Sequence, residues 1–262
     1  MRIGIIGAGN MGSAIIRSII DSKLIGEKDL LVCRKNAGKA IEGLPNLSIS
    51  ADVQHVIDQV DTVILAVKPQ QAQSIFNSFK NCFSNKFVIS IMAGWTFEKL
   101  KDALPDSAHI LCTMPNLPML VKEGITLFSA HNNCTKEEIA FAKTLFQKAG
   151  IVIEVEETFF SAANAVSGCG PSFAALFIES LADGAVRYGV PRKHAYDLAT
   201  QMVIGTAQLL RQKRMHPGEL KDAVCSPNGI TIAGIQSLEN DRFRASVINA
   251  IEACVLKERE LS

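Results

Sequence analysis

Residues 3–12 read IGIIGAGNMG, an apolar strand pattern that runs directly into the spacing Gly-x-Gly-x-x-Gly. Apolar residues at helical spacing follow at Ile15, Ile16 and Ile19. In this motif the first glycine makes a tight turn, the second lets a phosphate approach the backbone, and the third lets the helix pack closely on the strand. Because strand, glycines and helix occur in the order of a βαβ unit, the stretch predicts a dinucleotide site whose pyrophosphate meets the positive end of the helix dipole.

The organisation of the chain changes near residue 157. Up to that point short, β-branched apolar runs alternate with helical patterns, which predicts a mostly parallel sheet covered on both faces. Beyond it long helical patterns follow one another. Glycine and proline interrupt these patterns at residues 168–171, 189–191, 216–218 and 226–229. We therefore expect an α/β fold, with a Rossmann-type dinucleotide-binding domain over residues 1–157 and an all-α domain over residues 158–262.

Composition restricts the class of ligand. Lys and Arg number 27 against 26 Asp and Glu, a net charge of +1, which gives no electrostatic reason to expect nucleic acid or a membrane surface as a partner. The seven cysteines, an odd number without CxxC or Cys/His metal-ligand spacing, predict reduced thiols, no metal site and a cytoplasmic location. No stretch approaches the roughly 20 apolar residues of a membrane span. The expected ligand is therefore a small molecule.

Two helical patterns in the second half are too apolar for the surface of a small monomer. Residues 172–188 keep a narrow polar stripe, and residues 196–210 carry one charge, at Asp197. A helix that is apolar almost all round must be buried, and a domain of about a hundred residues cannot bury two such helices alone. We expect a homodimer through this domain; the alternative is that both helices lie inside a compact bundle.

The residues after the second strand indicate which dinucleotide is bound. An NAD site usually places Asp or Glu there, to bind the ribose 2′-hydroxyl. Here Arg34 and Lys35 follow Cys33, and no acid stands beside them. Two cations would attract a 2′-phosphate, with Arg34 the better bidentate partner. This pattern favours NADPH and leaves NADH open, since the alternative is that both cations are ordinary surface charges.

Two further strand ends should reach the same crevice. Ala66-Val67-Lys68-Pro69 and Met92-Ala93-Gly94 each end a predicted strand, and ligands of open α/β sheets lie at the carboxyl ends of the strands. Lys68 before Pro69 is typical of a rigid turn beneath the cofactor ribose, or else of a solvated lysine before a turn.

The start of the second half lacks the proton donor that a ketone reductase would need there. Between Glu157 and Leu181 there is neither Lys nor His. A cyclic imine does not require such a donor, because its nitrogen is basic enough to arrive protonated. The protein then needs only to orient the ring and to bind its charges.

Three loops that lead into helices are candidates for that binding. They are Ser167–Ser172, His216–Asp222 and Ser226–Thr231, the last with a helix expected from near Ile232. The first amides of a helix have no partner within the helix, so a substrate carboxylate could bind there, beside the Thr231 hydroxyl. Each loop alone is also explained by simple capping, and their joint occurrence is what favours binding.

At these residues the sequence resembles the pyrroline-5-carboxylate reductases, which make proline from its cyclic imine precursor with NAD(P)H. The resemblance covers essentially the whole chain. Its motifs, in the family's order and spacing, are IGAGNMG, AVKPQ, MAG, MPNLP, SGCGPSF, LADGAVRYGVPR, HPGELKD, SPNGITIAGI and FRASVINAIEA.

The resemblance implies a set of site residues. Cofactor contacts fall on Ile6, Gly7, Ala8, Gly9, Asn10, Met11, Gly12, Arg34, Lys35, Ala66, Val67, Lys68, Pro69, Met92, Ala93 and Gly94. Substrate contacts fall on Glu157, Ser226, Asn228, Gly229, Ile230 and Thr231, and the Thr231 hydroxyl would be the catalytic group, at the ring nitrogen. The resemblance also implies a dimer through the helical domain, with five dimers joined into a ring.

Five positions depart from the family's usual pattern. Cys169 replaces a serine of SGSGP, Asn228 and Ile230 alter SPGGTT, Leu117 alters MPNTP, and Cys112 stands where arginine is common. Asn tolerates a left-handed backbone, so Asn228 should preserve the loop. Because Leu117 removes a hydroxyl near the nicotinamide, the preferred ring stays open. The alternatives are a reductase of a six-membered or sulfur-containing imine, and a non-catalytic NADPH-binding protein.

Overall fold

The chain, taken from a computed structural model, is described over residues 2–36, 41, 44 and 46–261, with the backbone alone for Leu261. Eight strands occur in the order β1 (Ile3–Ile6), β2 (Leu30–Cys33), β3 (Ser48–Ser50), β4 (Thr62–Leu65), β5 (Phe87–Ser90), β6 (His109–Pro115), β7 (Gly124–Ser129) and β8 (Gly150–Val155). The helices are α1 (Asn10–Asp21), α2 (Val53–Asp58), α3 (Pro69–Phe79), α4 (Phe97–Ala103), α5 (Lys136–Gln147), α6 (Glu157–Asn164), α7 (Gly170–Arg187), α8 (Arg192–Lys213), α9 (Pro217–Val224), α10 (Ile230–Asn240) and α11 (Phe243–Leu261).

All eight strands form one sheet, in the order β3-β2-β1-β4-β5-β6-β7-β8. The first six strands in this order, β3, β2, β1, β4, β5 and β6, are all parallel to one another. β7 is antiparallel to β6, and β8 is parallel to β7. The strand order reverses between β1 and β4, and the crevice at such a switch point is where dinucleotides bind in open α/β sheets. The expected Rossmann-type, mostly parallel sheet followed by helices is confirmed.

The sheet is buried on both faces, as a parallel sheet with helical crossovers must be. Ile3 and Ile5 point into one apolar cluster, which also holds Ile15 and Ile16 of α1. Ile6 points into a second cluster on the other face of the sheet. The glycine-rich turn is therefore anchored by a strand that is packed from both sides.

One strand was not predicted. β3 has three residues that are half-buried or exposed, so it shows no apolar run, and it is recognisable through its pairing with β2 alone. Short edge strands of this kind lack the hydrophobic pattern on which sequence interpretation depends.

By their internal contacts the residues divide into two compact units, 1–168 with 254–262, and 169–253. Of residues 169–253, all of which the structure describes, three are buried: Ala182, Ala195 and Ala199. Large apolar side chains of this helical unit remain exposed in the single chain, including Leu176, Leu198 and Ile248.

The predicted helix break at residues 168–171 is wrong. A turn of π-helix, Ala165–Cys169, follows α6 and leads directly into α7. Pro171 follows this π-helical turn by two residues, and the helix continues through it. The other three interruptions are found, although α10 begins at Ile230 rather than near Ile232.

Because α6, the π-helical turn and α7 are continuous, they form one long apolar helix. Within the described residues, Glu157–Arg187 is the single helical stretch, 31 residues long, whose length and composition would allow it to cross a membrane. In the single chain 17% of its most apolar window is buried. From the sequence, no stretch approaching about 20 apolar residues was expected. An apolar helix face that is to be covered by another protein chain has the same composition.

Candidate active site

The glycine-rich turn has the geometry that its three glycines predict. Gly7 has φ of +104° and donates its N–H to the carbonyl oxygen of Cys33 at 2.9 Å. A Cβ at Gly7 would lie 2.5 Å from the backbone oxygen of Ala66, and one at Gly12 would lie 2.3 Å from that of Gly7. A Cβ at Gly9 would meet no described atom within 4 Å. The first and third glycines therefore allow close packing, whereas the second borders open space.

The start of α1 fits a phosphate group. Gly9 is the N-cap in an extended conformation, and among the described residues neither a capping side chain nor an acidic residue occupies the first turn. Helix N-termini of this kind present backbone N–H groups and a positive dipole end to an anion. The residues present thus match the pyrophosphate of a dinucleotide.

Arg34 and Lys35 follow the carboxyl end of β2. Arg34 is half-buried, and its backbone N–H donates to the carbonyl oxygen of Ser50 at 3.0 Å, whereas Lys35 is exposed. The backbone of Arg34 is therefore fixed to the edge strand, two strands from the switch point. This position suits a cation that binds the far end of a dinucleotide.

The loops after β4 and β5 are connected to each other. Lys68 is the exposed N-cap of α3, Pro69 is its first residue, and the carbonyl oxygen of Pro69 accepts the indole N–H of Trp95 at 3.2 Å. Gly94 has φ of +74°, the left-handed conformation that glycine permits. The two strand ends that were predicted to meet a cofactor are thus held as one rigid rim.

A pocket in the same compact unit lies beside this rim. It is lined by Met92, Gly94, Trp95, Thr96, Cys112, Thr113, Met114, Ser129, Glu157, Phe160, Ser161 and Glu258. Met92, Gly94 and Glu157 were predicted as site residues, and the others were not. β6 is longer than β5, and its residues after Cys112 extend beyond the last β5–β6 pair, Ser90 with Cys112. The antiparallel β7 pairs with this extension, so the carboxyl end of β7 lies close to the carboxyl end of β5.

Glu157 is the acidic group that the sequence placed in the site. It is the first residue of α6, its side chain is 34% exposed, and Oε2 lies 2.9 Å from Nδ1 of His131. His131 was not predicted as a site residue, although it follows the end of β7 by two residues. Residues at the ends of strands are common site residues, but the sequence does not show that β7 ends beside this pocket.

Two thiols near the pocket, Cys112 and Cys134, have raised pKa values. Burial, followed by the charge of Glu157, raises the pKa of Cys112 to about 12. Burial and then Glu138 raise the pKa of Cys134 to about 12. Since the thiolate is the reactive form, these raised pKa values disfavour both thiols as nucleophiles at neutral pH.

In the helical unit, whose residues the structure describes in full, α10 begins without a side chain that caps its N-terminus. Gly229 is the N-cap, its N–H donates to the carbonyl oxygen of Ser226 at 3.0 Å, and a Cβ at Gly229 would lie 2.2 Å from Oγ of Ser226. Asn228 has φ of +56°, the left-handed conformation that was expected of it. Thr231 is the exposed second residue of α10. The turn therefore presents backbone amides and one hydroxyl together.

The other two candidate loops are explained by local structure. His216 accepts the N–H of Gly218 at Nδ1, and Glu219 accepts the N–H of His216, so this loop is a capping box. The segment around Ser167 is the π-helical turn, tied by its carbonyl oxygen to Nδ2 of Asn116 at 2.8 Å. Of the three loops, Ser226–Thr231 keeps the geometry of an anion site.

Comparison with known proteins gives matches along the whole chain. Residues 2–94 match the family model described as NADP oxidoreductase coenzyme F420-dependent, and residues 157–261 match pyrroline-5-carboxylate reductase dimerisation. The pyrroline-5-carboxylate reductase of Synechocystis sp. is 36% identical over 100% of this chain and 98% of its own length. That of Methanosarcina acetivorans is 38% identical, over 99% of this chain and 97% of its own length. A crystal structure of pyrroline carboxylate reductase from Plasmodium falciparum, with NADP bound, has a TM-score of 0.91 at 32% identity, covering 99% of this chain and 97% of that one.

Proposed function

The chain belongs to the pyrroline-5-carboxylate reductase family, and from that premise we propose how its residues perform the family's reaction. The enzyme reduces 1-pyrroline-5-carboxylate to L-proline with NAD(P)H, the final step of proline biosynthesis. The observation that carries this conclusion is full-length similarity to named reductases, joined to a glycine-rich turn whose geometry fits a dinucleotide.

The reduced nicotinamide, when bound, supplies the hydride that adds to the carbon of the protonated C=N group. We propose that the residues from Ile6 to Gly12 hold the pyrophosphate, and that Arg34 with Lys35 binds a 2′-phosphate, so that NADPH is preferred to NADH. Two observations support these roles. Arg34 is half-buried, and the first turn of α1, all of which the structure describes, contains no acidic residue. Ala66, Val67, Lys68, Pro69, Met92, Ala93 and Gly94 would complete the cofactor contacts.

On the substrate side we propose two kinds of contact. The amides of the Ser226–Thr231 loop, with Asn228, Gly229 and Ile230, would bind the carboxylate, because a helix N-terminus attracts an anion. The Thr231 hydroxyl would bond to the ring nitrogen. Glu157 would face the cationic C=N group, since a carboxylate repels the substrate's own carboxylate and attracts its positive charge.

The enzyme forms homo-oligomers, as the match of residues 157–261 to a dimerisation model indicates. We propose a homodimer through the domain of residues 158–262, with residues 1–157 as the dinucleotide-binding domain, and five dimers in a decamer. The exposed apolar side chains of residues 169–253 support this assembly. As a member of this family the chain is a soluble enzyme, and we propose that it works in the cytoplasm, without nucleic acid or membrane as a partner.

The test is to follow NADPH absorbance with the racemic five-membered imine and to identify the product. We expect consumption of one enantiomer and formation of L-proline. A product other than proline, or no turnover by a protein that binds NADPH, would contradict the assignment.

A second candidate is a six-membered or sulfur-containing imine, which the departures at Leu117, Asn228 and Ile230 leave open. Comparison of kcat/KM on the two rings separates the candidates, and we expect the five-membered ring to be preferred.

A further inference from the structure

His131 lies between two glutamates that come from different helices. Its Nδ1 is 2.9 Å from Oε2 of Glu157, at the start of α6, and its Nε2 is 3.6 Å from Oε1 of Glu98, in the first turn of α4. The imidazole also packs on the ring of Phe97, with centroids 4.4 Å apart and planes inclined by 41°. Every one of these residues lies in the sheet-containing compact unit.

The backbone of His131 is held as firmly as its ring. The hydroxyl of Ser129 accepts the N–H of His131 and donates to its carbonyl oxygen, each at 3.3 Å. Ser129 is 3% exposed and lines the pocket, and Phe97 is 5% exposed. A buried hydroxyl below and a buried ring beside it therefore fix the direction in which the imidazole points.

The bond to Glu157 has a defined sense. An ionised carboxylate can only accept hydrogen bonds, so the proton of this bond is on Nδ1 of His131. Charge-assisted bonds of this kind are stronger than neutral ones. Glu157 is 34% exposed, which leaves it room to turn towards solvent if the donor is removed.

We propose that His131 is a positioning residue, which holds the carboxylate of Glu157 towards the pocket so that it can face the cationic C=N group of the substrate. The inference rests on the proposed role of Glu157 in substrate binding. It assigns His131 no contact with substrate and no part in proton transfer. Its loss should therefore weaken imine binding and leave both cofactor binding and the reduction step largely unchanged.

The variant His131→Phe tests this, because it keeps an aromatic ring against Phe97 and removes the donor. We expect KM for the imine to rise about tenfold, the size of effect expected from losing one bond to a charged group. KM for NADPH and kcat should stay within about twofold. His131→Gln restores an N–H donor and should recover most of the loss. An unchanged KM for the imine in His131→Phe would overturn the proposal.

His109 supplies a matched control. Its Nδ1 lies 2.8 Å from Glu138, its side chain is 40% exposed against 48% for His131, and it does not line the pocket. His109→Phe removes the same kind of pair and should leave KM for the imine unchanged. Because KM does not depend on the concentration of active enzyme, partial misfolding of either variant does not imitate the expected result. An equal rise of KM in both variants would overturn the proposal.

A double-mutant cycle with Glu157→Gln identifies the route of the effect. If His131 acts through Glu157, His131→Phe should add less than about twofold to KM in the Glu157→Gln background. Multiplicative effects, or no effect of Glu157→Gln alone, would overturn the inference. The failure of the proposed function is a different result, since the wild-type enzyme would then not reduce the imine at all.

Discussion

The two compact units differ in where their apolar surface goes. In the sheet-containing unit the residues of β1, β2, β4 and β5 are buried on both faces of the sheet by the chain's own helices. In residues 169–253 three alanines are buried, while Leu176 is 63% and Leu198 62% exposed. The first unit is specified by contacts within one chain, whereas the second has the composition of a core and the exposure of a surface. An apolar pattern therefore predicts that a helix face is buried, but not whether the same chain or a second copy covers it.

A charge placed on the exposed apolar surface of the helical unit tests whether a second copy covers that surface. Leu198→Glu would be nearly neutral, within about 0.5 kcal/mol, if α8 faced solvent. If a second copy covers Leu198, the buried charge should cost about 2–4 kcal/mol and disperse the oligomer, as measured by light scattering and thermal unfolding. Gln212→Glu, in the polar last turn of α8, is the control and should leave assembly intact. If Leu198→Glu remains an intact oligomer, no second copy covers Leu198.

The packing of the sheet-containing unit is tested at its third motif glycine. A Cβ at Gly12 would lie 2.3 Å from a backbone oxygen that has no room to move. Gly12→Ala should therefore lower stability by about 2–4 kcal/mol, measured by urea unfolding.

Gly9→Ala is the matched control for that glycine. No described atom lies within 4 Å of its added Cβ, so stability should hold within about 0.5 kcal/mol. Its methyl group should instead obstruct the pyrophosphate and raise KM for NADPH about tenfold. Equal stability of the two variants would mean that close packing does not explain the motif.

In the helical unit the sharpest functional test is Thr231. Thr231→Ala should lower kcat/KM for the imine roughly tenfold to a hundredfold, about 1.4 to 2.8 kcal/mol, the scale of one good hydrogen bond to a charged group. Thr231→Ser keeps the hydroxyl and should stay close to the wild-type value. Unchanged kinetics in Thr231→Ala would remove this residue from the mechanism.

The smallest expected effect concerns cofactor choice in the sheet-containing unit. Arg34→Ala should lower kcat/KM with NADPH about tenfold and leave the value with NADH nearly unchanged, because it removes a bidentate partner of the 2′-phosphate. Lys35→Ala, which removes an exposed cation, should have a smaller effect. A wild-type enzyme with higher kcat/KM for NADH than for NADPH would show that both residues are ordinary surface charges.

Much of the fold follows from the sequence for two reasons. Apolar strand patterns recur along the first half of the chain, and the glycine-rich turn after β1 tolerates few residue types. The glycine spacing in residues 7–12 allows few backbone solutions, and Asn228 adopts the left-handed conformation that its residue type favours. β3 was not predicted because its three residues, one exposed and two half-buried, show no hydrophobic period. The π-helical turn at Ala165–Cys169 escaped because glycine and proline more often end a helix than sit in a continuous one.

The candidate site was less predictable than the fold. Its cofactor rim follows from strand ends, which are local features of sequence. His131 and Glu157 are 26 positions apart, and their contact depends on the antiparallel return of β7, which no local pattern announces. Sequence gives the chemistry of such residues, and the sheet topology is needed to bring them together.

The roles proposed for these residues all depend on hydride transfer from NADPH to the imine carbon of 1-pyrroline-5-carboxylate. The most direct measurement uses NADPH that carries deuterium at the transferable position of nicotinamide C4, followed by mass spectrometry and NMR of the product. We expect L-proline with one deuterium, on the ring carbon that is bonded to nitrogen and does not bear the carboxylate. Deuterium at another carbon, or proline without deuterium, would contradict it.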